Sequence, residues 1–145
     1  MSSVQAASTV PKKHLRRALL ALACMAGAVA GAQAQSAMPQ WKGEGAVRYV
    51  CGGIGSDEST AMRAAMKDHP LALLFARSDG AYLADVQVDI KGADGAPSLA
   101  LRASGPVCLV DLPAGRYTID AAMAGSAKSQ AVTVGSGSKT VDFRF

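Results

Sequence analysis

Asp85-Val86-Gln87-Val88-Asp89-Ile90 alternates polar and apolar residues without a break. Successive side chains of a strand point to opposite faces, so Val86, Val88 and Ile90 share one face and Asp85, Gln87 and Asp89 the other. The stretch predicts a strand with one face on a core and the other in water. The same period recurs in residues 116–123, with Tyr117, Ile119, Ala121 and Met123 together. It recurs again at the C-terminal end, where Val141, Phe143 and Phe145 alternate with Thr140, Asp142 and Arg144.

Working outward, residues 71–77 form a continuous apolar run that suits a fully buried strand. Residues 99–102, 107–112 and 128–134 are further short strand candidates. Asp79-Gly80, Asp94-Gly95, Gly105-Pro106, Pro113-Ala114-Gly115, Ala124-Gly125 and the Gly/Ser stretch 135–138 separate them. Gly and Pro supply the backbone angles that turns require. Seven short strands at roughly ten-residue spacing predict a mainly β fold, a seven-stranded antiparallel β-sandwich.

The N-terminal part of the domain reads differently. Residues 46–51 suit a strand, and Gly52-Gly53-Ile54-Gly55 breaks it. Ser56-Asp57-Glu58 offers an N-cap and first-turn acids, and the Ala- and Met-rich residues after it favour helix. One short N-terminal helix is expected over about 57–67, with Pro70 beyond its end. Residues 35–45 lack a hydrophobic period and read as a flexible lead-in. Trp41 within it is expected to fold back over an edge of the domain.

Residues 1–34 have the layout of a signal peptide: Lys12, Lys13, Arg16 and Arg17, an apolar run over 18–30, and the small-residue ending Ala32-Gln33-Ala34. The run is too short for a membrane span, which needs about 20 residues. Cys24 lies too early in it, behind a misplaced Leu22, to be a lipoprotein cysteine. Cleavage is expected after Ala34, leaving a lead-in at 35–45 and one domain at 46–145. The formal charge of +4 then changes meaning, because those four cations precede residue 35 and all 11 acids follow it. No basic run survives to follow a nucleic-acid backbone. A periplasmic or secreted location follows from the leader, with no stable membrane span after cleavage.

Few residues could perform chemistry. Zinc needs three or four ligands, and His69 is the one histidine past the leader. A Ser–His–Asp arrangement would have to use it as base, and Gly-x-Ser-x-Gly is missing beyond residue 34. Gly52-Gly53-Ile54-Gly55 lacks both the dinucleotide fingerprint and the P-loop Lys. Asp85 and Asp89 read as solvated acids on a strand's polar face. Met62, Met66 and His69 recur at i, i+4 and i+7, a face whose soft donors suit Cu(I); the alternative is that the methionines pack the helix onto the sheets. Trp41 with Tyr49 or Tyr82 could flank a saccharide. Cys51 and Cys108 are either a disulfide or two buried thiols.

The segment Leu112-Pro113-Ala114-Gly115-Arg116-Tyr117-Thr118-Ile119 resembles a recurrent element of carboxypeptidase regulatory-like domains, small sandwiches related in fold to transthyretin. Asp79-Gly80 with residues 83–88 looks like that family's first hairpin, and residues 132–145 like its closing strands. The likeness covers about residues 70–145. The glycine loop and helix before it look like an addition found in secreted proteobacterial members. Leu112, Pro113, Gly115 and Tyr117 are structural under this resemblance, the Tyr117 hydroxyl bonding backbone at a corner. The peptidase zinc site of the family's larger proteins lies in a different domain. The histidine-rich channel of transthyretin-like hydrolases has no counterpart here. The expectation is a non-catalytic exported accessory or protein-interaction domain without a cofactor, meeting another protein or a cell-envelope component. The alternative is a binder of a carbohydrate or Cu(I).

Overall fold

The computed structural model describes residues 38–145; the expected signal segment and its cleavage point lie outside the described residues. The elements are β1 (Lys42–Glu44), β2 (Val47–Gly52), α1 (Ser56–Ala65), a 3-10 turn (Met66–Asp68), β3 (Leu71–Ala76), β4 (Val86–Gly92), β5 (Leu99–Ala103), β6 (Val107–Asp111), β7 (Gly115–Met123), β8 (Ser126–Val134) and β9 (Lys139–Arg144). They form two sheets, ordered β1-β2-β6-β3-β9 and β5-β4-β7-β8. The described residues are mainly β with one short α-helix, and the layering is compatible with a β-sandwich.

Three expectations need correction. There are nine strands rather than seven among the described residues. The plausible strand at 46–51 is β2, and β1 lies inside the lead-in read as flexible. Gly45 turns the chain at φ 60°, so Lys42–Glu44 can pair with β2 although they carry no hydrophobic period. Second, the sheets are not wholly antiparallel: β9 runs parallel to β3. The chain leaves β8 in one sheet and enters the other at β9, a crossing that turn signals do not report. Third, the helix is shorter than expected. α1 ends at Ala65 and tightens into the 3-10 turn, because β3 begins just after Pro70. Its N-cap is Gly55, with no side-chain cap; Glu58 Oε1 instead accepts the Gly53 N–H at 2.7 Å.

The main core lies between the sheets. Leu71, Leu73, Phe75, Val141 and Phe143 of the first sheet meet Val86, Val88, Ile90, Tyr117 and Ile119 of the second. Phe75 and Phe143 stack at 5.7 Å between ring centroids. A smaller core covers the other face of the first sheet, where Met62 seals Val50, Ala72, Val107 and Leu109. β3 and β6 are therefore buried on both faces. That explains their continuous apolar sequences beside the alternation of β4, β7 and β9.

Cys51 and Cys108 face each other across β2 and β6 and are joined as a disulfide, both buried in the main core. Beside them Gly105 meets the Gly52 backbone so closely that a Cβ would collide with it. The Tyr117 hydroxyl donates to the Pro113 carbonyl at 2.7 Å, so the Leu112–Ile119 segment ties its own turn.

Candidate functional site

On the proposed metal face the methionines are packed against the first sheet. Met62 is fully buried between α1 and the first sheet, and Met66 packs beside it. His69 is half-buried, and its Nδ1 meets Asp111 Oδ1 at 2.7 Å. Helical spacing placed the methionines on the face that an apolar sheet must cover. Among the described residues no group of three or more His, Cys, Asp or Glu stands close enough to hold a metal ion.

The saccharide platform is also split. Trp41 packs on the outer face of the first sheet, whereas Tyr49 packs toward the main core. Tyr82 lies under the Arg63 guanidinium of α1, 4.9 Å from its ring centroid. Trp41 does fold back on the domain, into a cluster that sequence reading missed. Asp111 at the end of β6 holds Arg48 at 3.1 Å and His69 at 2.7 Å. The indole touches both partners, 5.4 Å from the guanidinium and 4.7 Å from the imidazole. One carboxylate thereby positions the two groups that hold the lead-in on the sheet. The register partner of Arg48 is Asp111, which no local pattern could reveal.

Asp85 precedes β4 at a left-handed φ of 61° rather than lying on the strand, and is exposed beside Arg102; Asp89 lies on the polar face of β4. On the same sheet Lys91 and the Ser129 hydroxyl bond Asp120 at 2.7 and 2.6 Å and hold its carboxyl below the ordinary range. This face of the second sheet is a solvated lattice of small and charged side chains.

The sheets end at β1 and β9 and at β5 and β8, and β8 and β9 differ as edges. β8 turns Lys128 and Gln130 to its core side, in register with Ala121 and Ile119, yet both are exposed. An inward lysine on an edge strand discourages pairing with a further strand. On β9 the core-side lysine is Lys139, at the strand's first residue and in register with Leu71; residues 140–144 after it carry none. The Lys139 N–H donates to Pro70 O, and the Phe145 N–H to Ala76 O. Alternation along the ladder therefore points the backbone groups of Thr140, Asp142 and Arg144 away from β3. Gln130 Nε2 donates to the Asp142 carbonyl at 3.0 Å, occupying one of these acceptors.

Beside this edge, α1 and the start of β9 enclose a groove of about 420 Å³ lined by Arg63, Ala64, Met66, Lys67, Ser138 and Thr140. The Ser138 hydroxyl donates to the Met66 carbonyl at 2.8 Å and pins the helix end to the strand. Tyr82, 62 % exposed, pairs with Ala76, whose neighbour on β9 is Arg144. Two other recesses border Arg116, which is already paired with Asp94.

No family model, curated protein or solved structure matches the chain.

Proposed function

We propose that this chain is an exported, non-catalytic protein-interaction domain of the carboxypeptidase regulatory-like type, acting as an accessory module in the periplasm or outside the cell. The observation that carries the reading is the open β9 edge, whose outward backbone groups are free to pair with a partner strand apart from one carbonyl held by Gln130. The leader-like residues 1–34 support export, and the buried Cys51–Cys108 disulfide suits an oxidising compartment. The Leu112–Ile119 element, tied by Tyr117 to Pro113, supports the family assignment.

The test is site-specific photo-crosslinking in the exporting cell, with a photoreactive residue at Thr140 in one protein and at Thr118 in another. Both positions are exposed, one on the open edge and the other on the flat face of the second sheet. A discrete protein adduct from position 140 alone is expected. No adduct at 140, or equal labelling from both positions, would overturn the reading.

A further inference from the structure

We infer that the groove between α1 and β9 binds an extended, acidic peptide segment of the partner, which adds to the first sheet as a strand alongside β9; this rests on the interaction-domain reading above. A strand needs a row of unpaired donors and acceptors, and Thr140, Asp142 and Arg144 present one apart from the Asp142 carbonyl that Gln130 holds. It also needs room beside the edge. The groove supplies it on the helix side, and Gln130 of β8 reaches the edge from the other.

The charge of the occupant follows from the walls. Arg63 and Lys67 line the groove without an ion-pair partner among the described residues, and no carboxylate is in its lining. Every other arginine of the described residues is matched: Arg48 to Asp111, Arg77 to Asp79, Arg102 to Asp85, Arg116 to Asp94 and Arg144 to Asp142. Asp142, the carboxylate on the edge strand itself, is held by Arg144 through two bonds of 3.0 and 2.9 Å. Arg63 is placed rather than loose, because Tyr82 stacks on it and Ser59 Oγ lies 3.4 Å from its Nε. Strand alternation would send every second peptide side chain toward α1, so carboxylates on that face meet the two cations. Tyr82 offers an exposed aromatic surface at the far end of the edge. A second copy of this chain is a poor occupant, since edge-to-edge pairing would bring two sets of groove cations together.

Gln130 takes a defined part in this scheme. Its amide stands where the partner's N–H would reach the Asp142 carbonyl, so an incoming strand displaces it.

The experiment uses the purified full chain and fluorescent ten-residue peptides alternating Asp with Val or Thr. Comparison peptides replace Asp by Lys, or carry N-methyl groups on the backbone amides that would face β9. Binding of the Asp peptide alone is expected, weakening as salt rises, with the largest NMR amide shifts at Thr140, Asp142 and Arg144. The Arg63→Glu/Lys67→Glu variant should weaken it about tenfold, while Gln130→Ala should bind at least as tightly as the parent. Equal binding of the Lys or N-methylated peptide, no binding at all, or shifts centred on another strand would overturn the inference. So would a dimer in sedimentation whose interface includes Thr140. A position-140 adduct without acidic-peptide binding refutes the partner chemistry and leaves the interaction-domain reading standing. Loss of both refutes both.

Discussion

Removing the disulfide is the sharpest perturbation this fold offers. Cys51 and Cys108 are 57 residues apart in sequence and directly opposed across β2 and β6. In the chain-entropy model, releasing a loop of that length frees the unfolded chain by about 4 kcal/mol. Single domains have roughly 5–15 kcal/mol in total, so the loss is a large fraction of stability. The unfolding entropy of a domain this long is about 0.23 kcal/mol per kelvin, so Tm should fall by roughly 15–20 °C. The assay is urea denaturation of oxidised protein, reduced protein and the Cys51→Ala/Cys108→Ala variant. Reduced and double-variant proteins should lie close together, because both act chiefly through the unfolded state. Their m-values should exceed that of the oxidised protein, since an uncrosslinked unfolded chain exposes more surface. A loss below about 1 kcal/mol in both, with m unchanged, would refute the reasoning and show that the link constrains little in the unfolded chain.

Tyr117→Phe deletes the bond to the Pro113 carbonyl and should cost about 1 kcal/mol in urea unfolding. Burial raises the Tyr117 phenol above its ordinary value of 10.0, so the unfolded state deprotonates first and stability falls as pH rises past 10. The Phe variant should lose part of that alkaline decline; an identical pH profile would contradict the assignment. Asp111→Ala frees Arg48 and His69 together and should red-shift the emission of Trp41, the single tryptophan, with a stability loss of about 1 kcal/mol. An unmoved emission maximum would mean that the carboxylate does not position the lead-in. Met62→Leu should cost less than about 1.5 kcal/mol and Met62→Ala about 2–5, as expected for a packing residue. Cu(I) titration giving heat that Met62→Leu abolishes would restore the metal reading.

How much was legible in sequence depended on how local the signal was. Val86, Val88 and Ile90 announced their buried face by alternation, as did Tyr117, Ile119 and Ala121, and Val141 with Phe143; all are buried as expected. Met62 and Met66 were ambiguous, because ligand and packing faces of a helix share one spacing. The open edge was invisible, since exposure of the Thr140 backbone depends on which strand β9 joins. The Trp41, Arg48, His69 and Asp111 cluster draws on four separated segments, each unremarkable alone.

The sequence by itself determined strand periodicity, turn positions, a helix after the glycine loop, and the two cysteines available beyond the leader-like segment. These follow from short-range rules: side-chain alternation, backbone angles of Gly and Pro, and helix propensity. Tertiary structure alone decided that β9 lies parallel to β3, that Cys51 meets Cys108, that α1 seals the outer face of the first sheet, and that β9 ends that sheet as an edge strand. The physical reason is that strand pairing uses backbone groups every residue shares. Partner choice is therefore settled by burying all the apolar faces at once, a condition on the whole chain that no single segment contains.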